Sequence, residues 1–357
     1  RELKRKMTNN LVNKNSLIDS FYKIFCTCTR KSPDEKIPDN DYFKRRILGF
    51  KAELEFEKLI DSEFQGYQFL EGGQFAGEPI DKGEISSGFF IYTTFDYLSP
   101  NEYIDIYKKI SVWSNVRKLF YIRIIREGWD QEDMQVKKDE ETKEFSMTNI
   151  LTPKFEFYSF DRENFTFNQD KSITFSKIIE AFNDPKTTPS TSPLRSREKF
   201  DYLQDYDLEV LMKIYATRYF MDYKKREKAH LNFLDLDGFL VNKENNKDIK
   251  LVEIKEKEPV KRKTKNGPIL KEQDWTYGWD IRRLLWYVYL ENQLDIPIVY
   301  AVRQIDNRFS RDFVQWDVIL MSDFLKSVGW SSEVGGGGGS GTLQAPYLHF
   351  QRLSEVI

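Results

Sequence analysis

Two short apolar runs, residues 231–241 and 250–255, joined by a polar, Asn- and Lys-rich stretch over 242–248, constrain the fold more than any other part of the chain. Their length and spacing predict a β-hairpin. Strand side chains alternate between faces, so Glu253 and Lys255 project together while Ile254 turns to the opposite side. Asp235 and Asp237 share a face by the same rule. The hairpin can therefore bring Asp237, Glu253 and Lys255 together at one end of a sheet. Two carboxylates so placed suit Mg²⁺, a hard ion that takes oxygen ligands. A lysine beside them can orient or deprotonate water, or hold a phosphate oxygen. This is the outline of a phosphodiester-cleaving centre. Solvated charge at strand ends is the competing reading of the same residues.

Asp237-Gly238 followed by Val252-Glu253-Ile254-Lys255 resembles the signature of the PD-(D/E)XK nuclease superfamily, which includes most restriction endonucleases. Carried over position by position, the resemblance implies Asp237 and Glu253 as metal ligands and the Ile254 carbonyl as a third. It implies Lys255 as the catalytic lysine and Mg²⁺ as the cofactor, with Mn²⁺ able to substitute. Leu236 stands where the family name has Pro. The implied core runs α-β-β-β-α-β, and the implied partner is double-stranded DNA. Cutting both strands calls for two centres, hence a homodimer, and the expected activity is that of a type II restriction endonuclease. Two alternatives remain open: a repair or recombination nuclease acting on branched or single-stranded DNA, and a non-catalytic nucleic-acid-binding protein.

Composition narrows the choice. A net charge of −2 provides no overall field for nucleic acid, so contacts must come from local basic clusters. Cys26 and Cys28 are the two cysteines and His230 and His349 the two histidines. These numbers exclude a disulfide framework, argue against Cys/His zinc and HNH-type centres, and fit a reducing, cytoplasmic compartment. No apolar run reaches the roughly eighteen residues of a membrane span. The chain opens with Arg1 and shows no apolar signal segment. It contains no GxxxxGK[ST] phosphate loop, so no NTP-driven motor is expected within it.

The 357 residues suit two domains. Residues 185–197, rich in Pro, Ser and Thr, read as a linker between an amino-terminal α/β domain (1–184) and a nuclease-like domain (198–357). In the first half the patterns predict helices over 17–25 and 41–59, the second carrying Glu53, Glu55 and Glu57. A turn at Glu71-Gly72-Gly73, a strand over 88–95, a helix from a Ser99 cap to 113 and a strand over 116–126 follow. An acidic, mobile insertion is expected over 130–144, then strands over 155–160 and 165–167. Arg117, Lys118, Arg123 and Arg126 could face nucleic acid. Alternating aromatics are more often core, and the half reads as a recognition or dimerisation domain.

In the second half an amphipathic helix over 205–225 precedes the hairpin, and Glu209 at the edge of its apolar stripe is a candidate upstream metal ligand. Lys261, Arg262, Lys263 and Lys265 form the densest basic run, readable either as a phosphate grip or as a solvated loop. Gln273 and Tyr277 have the QxxxY spacing of the RecB-like branch of the superfamily, interrupted by Gly278. Asp280 caps a helix over 281–290. Arg282 and Arg283 in its first turn oppose the helix dipole and suggest a phosphate-gripping role. Strands over 296–302 and 316–320 and a helix from a Ser322 cap to 328 follow. The glycine-rich run 335–341 reads as a flexible connector, either a loop or an engineered joint. The expected fold is α/β, with a restriction-endonuclease-like mixed sheet flanked by helices in the carboxy-terminal half.

Overall fold

The computed structural model describes residues 12–26, 42–77, 87–94, 98–113, 116–137, 145–180, 200–224, 232–261, 267–307, 309–328, 333–335 and 341–357. Helices α1 (Lys14–Cys26) and α2 (Tyr42–Glu63) come first, then strands β1 (Tyr67–Gly77) and β2 (Ser87–Thr94) and helix α3 (Ile104–Val112). Strands β3 (Val116–Lys137), β4 (Phe145–Asp161) and β5 (Thr166–Gln169) precede helix α4 (Phe175–Glu180) and helix α5 (Leu208–Arg218). The hairpin strands are β6 (Asn232–Asn242) and β7 (Ile249–Lys257), followed by β8 (Thr276–Asp280), α6 (Ile281–Leu294), β9 (Ile298–Ile305) and β10 (Phe313–Leu320). Helix α7 (Met321–Ser327), strands β11 (Glu333–Gly335) and β12 (Gly341–Pro346) and helix α8 (Leu353–Val356) close the described part. The architecture is α/β, with mixed β-structure flanked by helices and a small antiparallel sheet. No helix among the described residues is long and apolar enough to cross a membrane.

The chain forms two compact units that interleave along the sequence. One comprises Arg1–Ile47, Gln74–Ile104 and Ser114–Phe233; the other comprises Leu48–Gly73, Asp105–Trp113 and Leu234–Ile357. The expected linker at 185–197 lies outside the described residues. Within the first unit β2 runs parallel to β3, and β3 pairs antiparallel with β4, which pairs with β5. Residues 130–137, expected in a mobile insertion, extend β3 and pair with 145–152 of β4. The register breaks between Ile125 and Asp130, where Gly128 adopts φ +71° and the Trp129 indole donates to the Ile125 carbonyl at 2.7 Å. A bulge of this kind lets one strand bend without ending, so the polar stretch stays in the ladder. Phe155, Phe157, Phe175 and Phe220 pack ring to ring against this sheet. Helix α5 continues as a π-helix over Tyr219–Lys224, which carries the helical run to the end expected for it.

In the second unit the sheet order is β10-β9-β7-β6-β1. Strand β7 pairs antiparallel with β6 and parallel with β9. One face is covered by α2, whose Ala52, Phe56 and Ile60 pack with Leu240, Val252, Ile254, Val299, Ala301 and Trp316. Val252 and Ile254 of β7 thus fill the core under α2, and Glu253, Lys255 and Lys257 turn to the face covered by α6. The run Glu71-Gly72-Gly73 is not a turn: it lies inside β1. A Cβ on Gly72 would stand 2.0 Å from the Leu236 carbonyl oxygen, and one on Gly238 would stand 2.1 Å from the Phe69 ring. The glycines answer to the close approach of β6, a partner distant in the chain, and not to local chain reversal. A second sheet, order β11-β12-β8, holds the ends of the glycine-rich run, since Gly335 pairs with Gly341. Residues 336–340 lie outside the described residues. The cap position of α7 is Leu320, not Ser322, and it makes no side-chain cap hydrogen bond.

Candidate active site

The β6–β7 ladder runs from Val241↔Ile249 to Gly238↔Val252 and stops there. Asp237 is the next residue, and its carboxylate takes over where the ladder ends: Oδ2 accepts the Ile254 N–H at 2.7 Å. Glu253 is wholly buried, the Asp237 side chain is 7% exposed and that of Lys255 29%. Lys255 Nζ lies 3.2 Å from Asp237 Oδ2, 2.7 Å from Glu253 Oε1 and 2.9 Å from the Ile254 carbonyl oxygen, to which it donates. The alternation read from the sequence therefore does bring Asp237, Glu253 and Lys255 to one point.

Helix α6 completes the cluster. Asp280 caps it as expected, accepting the N–H groups of Arg282 (3.0 Å) and Arg283 (3.2 Å). Arg283 does not reach outward. Its Nη2 donates to Glu253 Oε2 at 3.1 Å and to the Asp235 carbonyl at 3.0 Å, and lies 4.0 Å from Asp237 Oδ1. Tyr287, one turn later on the same helix face, donates its hydroxyl to Glu253 Oε2 and lies 3.1 Å from the Asp235 carbonyl oxygen. Sequence reasoning missed Tyr287 and the inward orientation of Arg283. The readable signal was a polar pair at i, i+4 on the helix that Asp280 caps.

These contacts set the charges. Burial, then the negative charge of Glu253, pushes the Asp237 carboxyl up to about 7 against the opposing pull of Lys255, Arg283 and the Ile254 N–H. Burial also opposes ionisation of Glu253, but Arg283 and Lys255 outweigh it and bring that carboxyl down to about 2. For Lys255, burial and Arg283 disfavour the charged form, yet the two carboxylates prevail and its pKa is raised. Lys255 is thus an ammonium at neutral pH, an electrostatic group and not a base. For Lys257, next along the same face, the carboxylates of Glu253 and Asp280 are outweighed. Burial, then the charge of Lys255, pushes it down to about 8, and its Nζ donates to the Gly278 carbonyl.

The other sequence candidates make contacts of their own or fall outside the described residues. Glu209 belongs to the first unit, is exposed and pairs with Arg126 at 3.3 Å. Arg123 pairs with Glu156 and lies over the Tyr158 ring. The Arg117 side chain is outside the described residues, as are Arg262, Lys263 and Lys265. Lys261 donates to the Asp306 carbonyl at 3.0 Å and covers the Trp275 ring, so its charge serves the fold. Arg282 is exposed. Gln273 and Tyr277 fall on a 3-10 turn and on β8, and the buried Tyr277 hydroxyl donates to Asp317. They do not share a helix face, because Gly278 and its neighbours form a strand. Glu55 of α2 is engaged in an ion-pair network with Arg303, which also binds Glu256.

The oxygens around Lys255 Nζ can be tested against a divalent cation. Glu253 Oε1 is shut off from solvent and meets Lys255 by charge without a well-directed hydrogen bond. Two carboxylates and a backbone carbonyl are hard donors of the kind Mg²⁺ takes. Among the described residues no group of three or more His, Cys, Asp or Glu side chains forms a metal cluster. The candidate site is therefore a two-carboxylate one, completed by Ile254 O. No protein-family model matches the chain, and no curated protein or solved structure matches it either.

Proposed function

We propose that the chain is a Mg²⁺-dependent endonuclease that hydrolyses phosphodiester bonds of double-stranded DNA, built on the PD-(D/E)XK plan and acting as a restriction endonuclease. One observation carries the reading: the Asp237 and Glu253 carboxylates and the Ile254 carbonyl all lie within 3.2 Å of the Lys255 ammonium. The element order of the second unit adds support: with α3 and β8 inserted as extra elements, α2, β1, β6, β7, α6 and β9 follow one another in the order α-β-β-β-α-β. In that order the leading helix is α2, and not the helix over 205–225.

Asp237, Glu253 and the Ile254 carbonyl hold the ion. When bound, Mg²⁺ supplies a Lewis acid that acidifies water and offsets charge on the phosphodiester. Arg283 and Tyr287 fix Glu253 from behind, and the Ile254 N–H fixes Asp237 through Oδ2. Lys255, held charged, stabilises negative charge at the scissile phosphate. Arg283 is committed to Glu253, which leaves Arg282 as the helix residue available to the DNA backbone. A duplex cut needs two such centres, hence a homodimer.

Incubation with plasmid DNA and Mg²⁺ tests the reading. Discrete fragments that disappear with a chelator are expected. Cutting confined to branched or single-stranded DNA would move the activity to repair or recombination. No cutting of any DNA with Mg²⁺ or Mn²⁺ would overturn it.

A further inference from the structure

We infer that Lys255 is the resident counter-ion of the Asp237/Glu253 pair, and that the site therefore takes up a divalent cation together with a phosphodiester far better than alone. The inference rests on the metal binding at these three oxygens, as proposed above. Those oxygens are the ones that already surround Lys255 Nζ, at 3.2, 2.7 and 2.9 Å. An ammonium and a metal ion cannot both occupy that position. The cluster also already holds its own cations: Asp237 and Glu253 face Lys255 and Arg283, so even with both carboxyls ionised two negative charges meet two positive ones. A divalent cation entering alone would leave two uncompensated positive charges in a largely buried cluster, which is costly.

Phosphate removes both obstacles. It brings negative charge, and it offers Lys255 Nζ an oxygen to replace those surrendered to the ion. Lys255 is also freer to move than the carboxylates it holds, with 29% of its side chain exposed against 7% of Asp237 and none of Glu253. Glu253 stays in place under Arg283 and Tyr287. Metal and DNA are thereby linked, and linkage is reciprocal: each must raise the affinity of the other by the same factor.

Calorimetric titration with Ca²⁺, with and without a short DNA duplex, measures that factor for the wild type and for Lys255→Met. Wild type should bind Ca²⁺ at least about tenfold more tightly with duplex present, and bind duplex more tightly by the same factor with Ca²⁺ present. Without DNA, Lys255→Met should bind Ca²⁺ at least about tenfold more tightly than wild type, and its gain from DNA should shrink. Glu253→Gln should lose the Ca²⁺ heat, tying it to this site. Equal Ca²⁺ affinity in wild type and Lys255→Met, or no gain from DNA in wild type, overturns the inference and leaves the nuclease reading standing. Absence of Ca²⁺ binding in every protein, with and without DNA, overturns both. Circular dichroism checks folding; if Lys255→Met does not fold, Lys255→Gln replaces it, and the wild-type cycle tests the linkage without any variant.

Discussion

Replacing Arg283 with Met asks how much the fold depends on the cation behind Glu253. The guanidinium is 3.1 Å from a carboxylate with no solvent exposure. At an effective dielectric constant near 20, that separation is worth about 5 kcal/mol of gross attraction. Removing one partner of a buried pair leaves the other uncompensated and typically costs about 3–5 kcal/mol. Two features reduce the figure here: Lys255 remains 2.7 Å from Glu253, and the Arg283 side chain is 32% exposed. The expected loss is about 2–4 kcal/mol at pH 7, read by urea unfolding with tryptophan fluorescence. Removing the stranded charge as well, in Arg283→Met with Glu253→Gln, should recover at least half of it. The acid limb gives a second readout. Glu253 titrates near 2 when folded against an ordinary value of 4.5, so the unfolded chain holds the extra proton between those values. Its contribution is complete above pH 4.5 and is lost as pH falls towards 2, and Arg283→Met should lessen that loss. A cost below about 1 kcal/mol, or a double variant no more stable than the single one, would refute the reasoning.

Gly72→Ala sets a Cβ 2.0 Å from a backbone oxygen of β6, which no rotamer change can relieve, so a loss above about 3 kcal/mol is expected in the same unfolding assay. A change within about 1 kcal/mol would contradict the β1–β6 contact. Lys257 has the opposite pH signature to Glu253. Its folded pKa near 8 lies below the ordinary 10.5, so the unfolded chain holds more protons between those values and stability rises with pH across them. The rise is on the order of 3 kcal/mol, and Lys257→Met should flatten it. An unchanged difference between wild type and variant from pH 8 to pH 10 would contradict a lysine held near 8 by burial and by the charge of Lys255.

How much of the molecule is legible in the sequence follows from the range of each signal. The two-residue period of a strand is local, so the order of residues alone puts Glu253 and Lys255 on one face, while the register Gly238↔Val252 that brings Asp237 to them is a property of the folded hairpin. The Asp280 cap is local too, an acid one residue before an apolar helix. The meaning of Gly72 and Gly238 is not, because it depends on which distant strand passes alongside. The same holds for the covering helix: residues 41–59 and 205–225 are both amphipathic by pattern, and periodicity does not say which sheet either one covers. Arg283 is obscured by its type. An arginine in a first helical turn reads as a surface charge until a buried carboxylate is found opposite it. The polar residues 130–137 read as loop because the bulge at Gly128, which keeps them in β3, carries little composition signal of its own.

The central claim is that Asp237, Glu253 and Lys255 form one hydrolytic centre. Cleavage of duplex DNA in Mg²⁺ by Asp237→Ala, Glu253→Ala and Lys255→Ala, alongside duplex binding in Ca²⁺, tests it most directly. Each variant should lose cleavage by at least about two orders of magnitude while still binding the duplex. Cleavage at the wild-type rate in all three would contradict it.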